Sequence, residues 1–289
     1  MKKCNVDDTV NFIRSVYKTD DICLHEPRFV GNEKKYLLET IDSTFVSSVG
    51  PFVDQFEGEI SKLTTTKRAV AVANGTCALQ ISLELAGVKS EDEVLTQALT
   101  FVATANSISY LKATPIFIDV DLDTMGLSPK ALKEFLEQNV ELKDDGSYNK
   151  KTGKKISACM PMHTFGFMCR IDEIVEICNQ WKISVVEDAA EALGSKYKGK
   201  SSGSFGLLGA FSLNGNKIIT SGGGGAITTN NIAIGDKAKH LTTTAKVPHK
   251  WEYTHDKLGY NFRLPNLNAA LACAQLEQLD NMKNSKRTI

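Results

Sequence analysis

From residue 67 onward, short apolar runs alternate with stretches in which apolar residues recur every three or four positions. The runs at 68–73 (RAVAVA), 93–96, 115–120 (PIFIDV), 156–160 and 183–187 predict strands, with two shorter ones at 210–213 and 226–229. Residues 77–87, 101–111 and 171–181 carry helical spacing, and Gly87 is a C-cap for the first of these. Ser128 and Pro129 open a further helix, one as N-cap and the other as first helical residue. The polar stretch 141–155, with two glycines, reads as a surface hairpin or loop, and 242–258 reads as irregular. Residues 268–284 (NAALACAQLEQLDNMKN) predict a strong amphipathic helix. Strands that alternate with helices demand right-handed crossovers. The expected fold class is therefore α/β, with a mostly parallel, helix-covered sheet.

Composition narrows the classes without choosing among them. The chain has 289 residues, 42% hydrophobic and 24% charged, which is ordinary for a globular protein able to bury a sizeable core. Lys plus Arg and Asp plus Glu both total 34, a balance that argues against a broad nucleic-acid surface while leaving room for a local anion pocket. No run reaches the ~18 apolar residues of a membrane span, and the N-terminus lacks a signal-peptide core. The seven cysteines are scattered, odd in number and without a Cys-x-x-Cys pair, which points to reduced thiols and a cytoplasmic location, with no metal site.

Several short segments carry candidate chemistry, each with a plainer alternative. Asn74-Gly75-Thr76 joins a strand to a helix. Free amides at a helix start bind anions, and glycine lets a phosphate approach. The same residues also make an ordinary N-cap. Asp188 ends an apolar strand, where α/β proteins bind ligands. It could accept a hydrogen bond from a cationic ring nitrogen or simply complement a helix dipole. Lys217 lies between the strand ending near Ser212 and four consecutive glycines at 222–225. In an apolar, glycine-walled pocket such a lysine loses its proton more readily and can form a Schiff base; elsewhere it is a surface lysine beside a flexible loop. Phe101 is either a stacking platform for a flat ring or core packing. His163 reads as a satisfied structural histidine. Neither a Rossmann nor a P-loop fingerprint is present. The order of these parts suits pyridoxal phosphate: a phosphate anchor, a ring stacker, a carboxylate for the pyridine nitrogen and a Schiff-base lysine.

On residues 24–57, 72–88 (VANGTCALQISLELAGV), 92–110, 115–121, 187–195 (EDAAEALGS), 210–229 (AFSLNGNKIITSGGGGAITT) and 258–279, the chain resembles the DegT/DnrJ/EryC1/StrS sugar aminotransferases of aspartate-aminotransferase fold type I. Within that family it looks most similar to the nucleotide-sugar 4-aminotransferases of bacillosamine- and legionaminate-type pathways. The resemblance implies pyridoxal phosphate as cofactor, glutamate as amino donor and a nucleotide-linked 4-keto-6-deoxy, N-acetylated sugar as acceptor. It implies Lys217 as Schiff-base and proton-transferring lysine, and Asp188 on the pyridinium nitrogen. Gly75, Thr76 and Ser212 would hold the phosphate, Phe101 would lie on the ring and Glu191 would sit near the cofactor hydroxyl. Asn261 would reach the phosphate of a neighbouring subunit, making a homodimer with shared active sites. By the same resemblance, 1–23 is an N-terminal extension, 24–255 the cofactor-binding large domain and 256–289 the start of an incomplete small domain. That division leaves the helix at 268–284 short of cover, and the alternative function is a non-catalytic member that binds cofactor without turnover.

Overall fold

A computed structural model describes residues 5–23 and 25–288; Cys4, Leu24 (the first residue of the resemblance) and Ile289 lie outside them. Three helices, α1 (Val6–Tyr17), α2 (Glu33–Asp42) and α3 (Pro51–Thr64), precede strand β1 (Arg68–Val72). Then come α4 (Gly75–Leu85), β2 (Glu93–Gln97), α5 (Val102–Tyr110), β3 (Thr114–Ile118) and α6 (Pro129–Asn139). A hairpin of β4 (Val140–Lys143) and β5 (Gly146–Asn149) leads into β6 (Lys155–Cys159), α7 (Ile171–Gln180) and β7 (Ser184–Asp188). After the small ladder of β8 (Lys196–Tyr197) and β9 (Lys200–Ser201) follow β10 (Leu208–Ser212), β11 (Gly225–Thr229), α8 (Ile232–Thr242) and α9 (Asn266–Arg287).

The main sheet runs β1-β11-β10-β7-β6-β2-β3. From β10 to β3 every pairing is parallel, as the alternation of strands and helices requires. Strand β11 runs antiparallel to both neighbours. The chain returns to it from β10 through the loop 213–224 without a crossover helix, and only a crossover could have kept it parallel. The 141–155 segment is a hairpin, and it extends the sheet because β5 pairs antiparallel with β6.

Both faces of the sheet are covered, which is why its strands are continuous apolar runs. Alternation along β1 shows this directly. Ala69 and Ala71 join the core under α3 and α9, while Val70 and Val72 join the one under α4 and α8. Helices α6 and α7 cover the other end of the sheet through Leu132, Leu136, Ile171 and Ile174. Helix α6 starts as expected, with Ser128 accepting from the Ala131 amide at 3.3 Å and Pro129 behind it.

Two expectations about α9 need correction. It is not a one-sided amphipathic helix, and it does not lack cover. Ala269, Ala270, Ala272, Cys273 and Ala274 are all buried, because small side chains let α2 and α3 pack closely against it. Helix α1, by contrast, buries none of its residues. The six cysteines among the described residues are free, and none of these helices is long and apolar enough to cross a membrane.

Candidate active site

The C-terminal ends of β1, β7 and β10 surround one cavity of about 250 Å³. Helix α4 brings them together. It leaves the edge strand β1 and lies back across β11, β10 and β7, so its N-terminus sits beside the ends of central strands. The cavity is lined by Gly75, Thr76, Phe101, Asp188, Glu191, Ser212 and Lys217. Seven of the eight residues expected from the sequence thus meet at one place. The eighth, Asn261, does not: it is exposed, bridges Thr243 and accepts from Arg263 Nε at 2.9 Å.

The helix start is built for close approach. Asn74 caps α4, its Oδ1 accepting from the Cys77 amide at 2.8 Å. The amides of Gly75 and Thr76 open the helix, where no carbonyl one turn earlier can pair with them. A Cβ on Gly75 would come within 2.8 Å of the Ser212 Cβ, so a side chain there would push the turn away from β10. Both readings of 74–76 hold together, an N-cap and an anion-sized gap. The four glycines are explained in part by the same packing. Gly223 and Gly224 line the cavity. Gly224 adopts φ +120°, and a Cβ on Gly225 would lie 2.6 Å from the Phe211 carbonyl oxygen and 2.7 Å from the Asn74 carbonyl carbon. Close backbone contact, as much as a ligand, is what demands glycine here.

Asp188 is almost fully buried at the end of β7. Its Oδ2 accepts from Thr104 Oγ1 at 2.7 Å and its Oδ1 from the Ala190 amide at 3.2 Å. Burial pushes its carboxyl above the ordinary range, against the lowering influence of those donors and of the His163 and Lys217 charges. A buried acid held only by neutral donors invites a cation, and the cavity is where a cation can reach it. Thr104 went unmarked in the sequence, yet it sits one turn after Phe101 and lines the same cavity. Its signal was positional: a hydroxyl in the first turn of a helix that starts at the sheet edge.

Lys217 lies in the turn that follows β10, its amide donating to the Asn214 carbonyl at 3.0 Å. Its amine does not face an apolar wall as expected; Nζ donates to Glu191 Oε1 at 3.0 Å, with the two side chains only 13% and 20% exposed. Glu191 Oε2 accepts from the Phe165 amide at 3.0 Å. Phe101 is 68% exposed, which removes the core-packing alternative and leaves its ring on the rim of the cavity.

His163 is the structural residue expected. It is fully buried, with Nε2 3.1 Å from Glu187 Oε2 and Nδ1 3.5 Å from Cys169 Sγ. Burial pulls its imidazolium down, but Cys169 and the Glu187 carboxylate outweigh this and push it up to about 10. Glu187 in turn accepts from the amides of Gly203, Phe205 and Gly206, which ties β7 to the turn before β10.

The parts fit pyridoxal phosphate by the chemistry of the donor set. One cavity brings together helix-opening amides and a hydroxyl, a cation-seeking buried carboxylate, a lysine amine and an aromatic ring.

Comparison with known proteins points to the same cofactor. The model of the DegT/DnrJ/EryC1/StrS aminotransferase family matches residues 27–289. EpsN of Bacillus subtilis, described as a candidate pyridoxal phosphate-dependent aminotransferase, is 42% identical over 268 residues, covering 93% of this chain and 66% of that protein. GDP-perosamine synthase of Escherichia coli O157:H7 is 38% identical over 268 residues, covering 93% and 69%. Among solved structures, the aminotransferase from Psychrobacter cryohalolentis superposes with a TM-score of 0.78 at 30% identity, covering 88% of this chain and 63% of that one. The chain spans about two thirds of the length of these proteins.

Proposed function

The chain belongs to the DegT/DnrJ/EryC1/StrS aminotransferase family, and from that premise we propose that it moves an amino group from glutamate to a nucleotide-linked 4-keto-6-deoxy sugar, using pyridoxal phosphate. An N-acetylated acceptor is the finer form of this reading. Relatives named GDP-perosamine synthase support a nucleotide-linked amino sugar as product without choosing between the two. The observation that carries the reading is the meeting of Lys217 and the buried Asp188 in one cavity beside an anion-binding helix start.

When bound, pyridoxal phosphate supplies an aldehyde and a ring able to accept electrons. The chain's own residues do the rest. The amides of Gly75 and Thr76 and the hydroxyl of Ser212 take the phosphate. Asp188, held by the Thr104 hydroxyl, would keep a proton on the ring nitrogen. The Phe101 ring, on the cavity rim, would lie against the cofactor ring. Lys217 Nζ would hold the aldehyde and would carry a proton to and from the reacting carbon. Glu191, which holds that amine in the free chain, is positioned to accept its proton. Asn261, on the surface, is available to a second copy. In this reading 24–255 holds the cofactor and 256–289 begins a second region.

Lys217→Ala tests the assignment. Pyridoxal phosphate added to the native chain should acquire the visible absorbance of a lysine Schiff base, and the alanine variant should show neither that absorbance nor turnover of glutamate with a nucleotide keto-sugar. A variant that kept both would end the assignment of Lys217. Absorbance without turnover in the native chain would favour a member that binds cofactor only.

A further inference from the structure

Helix α1 buries none of its residues, yet both of its ends are closed. Asn5 caps the start, its Oδ1 accepting from the Asp7 amide at 3.2 Å, and Asp7 and Asp8 stand in the first turn, where the helix dipole favours acids. Lys18 ends the helix at φ +55°, its amide donating to the Arg14 carbonyl at 2.7 Å. Caps alone do not hold a helix of 12 residues in water; a packed apolar face does. Such a face is present. Val6, Val10, Ile13 and Tyr17 recur at spacings of four, three and four residues, which sets them within about 60° of one another around the helix axis. They are between 37% and 73% exposed. The alternation of four and three is the seam of a two-stranded coiled coil, narrower than the stripe of a helix that lies on a globular body. The family model begins at residue 27, so α1 stands outside the part of the chain that the family shares.

We propose that α1 pairs antiparallel with α1 of a second copy of this chain, seam against seam. The charges beside the seam choose this partner and this direction. Asp7 follows Val6 and Arg14 follows Ile13, so both lie on one flank, a heptad apart. In an antiparallel pair Val10 meets Ile13 of the other copy, Val6 meets Tyr17, and each flank faces its own counterpart. Asp7 of each copy then faces Arg14 of the other. In a parallel pair the same flank would face Thr9 and Val16, and neither charge would meet its opposite. Arg14 also reaches Asp20 through Nε at 3.0 Å, an exposed pair that competes only weakly. A lipid surface is the poorer fit. It calls for cations beside the apolar row, whereas α1 carries Asp7 and Asp8 against the single cation Arg14. No residue of α1 lines the cofactor cavity, so the contact is independent of the aminotransferase reading.

The test is sedimentation velocity of the whole chain over a dilution series. The native chain is compared with Val10→Asp/Ile13→Asp, with Asp7→Arg and with the charge exchange Asp7→Arg/Arg14→Asp. All four positions are exposed, so the fold should survive, and the melting temperature reports whether it does. Where the native chain is assembled, Val10→Asp/Ile13→Asp should sediment with half its mass. Asp7→Arg should weaken association by about tenfold or more, because it sets like charges face to face. The charge exchange should restore it. Equal masses for the native chain and Val10→Asp/Ile13→Asp at every concentration would overturn the proposal. A charge exchange that associates no better than Asp7→Arg alone would overturn the antiparallel pair. Vesicles of phosphatidylserine and phosphatidylcholine form the last arm. Native chain that sediments with them, while Val10→Asp/Ile13→Asp does not and the masses in solution are equal, would give the seam to a lipid surface instead.

Discussion

Asp188 shows how one residue trades stability for a ligand. Its folded carboxyl titrates above the ordinary value of 3.8 because burial penalises the charge. Between the two values the folded chain holds more protons than the unfolded one, so stability falls as pH rises through that window. At neutral pH the charge is a cost until a cationic ring arrives. Asp188→Asn removes the cost, and the Thr104 hydroxyl can turn to accept from the new amide. The cofactor-free variant should therefore melt no lower than the native chain at pH 7, and its melting temperature should change less between pH 4 and 7. Cofactor affinity should fall by about 1.5–3 kcal/mol, the worth of a charge-assisted hydrogen bond. Thermal melts across pH and a pyridoxal phosphate titration check the two halves independently. Lower stability together with unchanged affinity would contradict the account.

At the scale of elements, the site depends on backbone meeting backbone. The β10 end, the glycine run and the start of α4 approach so closely that Gly75 and Gly225 leave no room for a methyl group. The two are not equivalent. The atoms facing Gly225 are main-chain atoms of Phe211 and Asn74, which cannot turn aside, whereas Gly75 faces a serine side chain. Gly225→Ala should cost about 1–3 kcal/mol in stability, as overpacking does, and should also weaken phosphate binding by shifting Asn74. Denaturant unfolding and cofactor titration measure the two effects. A variant as stable as the native chain would show that the β10–β11 pairing tolerates a shift. The α9 helix supports the same region from behind: Asn268 Nδ2 donates to the Ser221 carbonyl at 2.7 Å, and Gln275 Oε1 accepts from the Thr220 amide at 3.4 Å. The lysine turn is thereby tied to the helix as well as to the sheet.

At the scale of the whole molecule, the position left over is Asn261. It lies outside the cavity of its own chain, and its side chain accepts a hydrogen bond from Arg263. If it completes a second copy's phosphate site, two defective chains should repair each other. A dimer of one Lys217→Ala chain and one Asn261→Ala chain contains one site with both residues intact. Equal mixing should then restore about a quarter of the full cofactor-binding sites, as random pairing of two chains gives in a twofold dimer. Absorbance of the remixed variants, compared with the sum of the separate ones, reads this directly. No gain on mixing would remove the shared site.

The sequence by itself determined the class of sheet, most of its strands and the chemistry of the site. Apolar periodicity, the Ser128-Pro129 and Asn74-Gly75 helix starts and the lysine–glycine segment are local signals, written in neighbouring residues. Helix α3 carries such a signal in Phe52, Val53, Phe56 and Ile60, whereas α2 buries only Glu33 and Thr40 and leaves the apolar Leu38 and Ile41 exposed. What only the tertiary structure decided was who meets whom: Glu191 with Lys217, Thr104 with Asp188, an alanine-rich helix as core rather than surface. Those partners lie 26 and 84 positions apart in the chain. No local pattern encodes such distances, because they are set by how helices cross the sheet and by which side chains are small enough to let them.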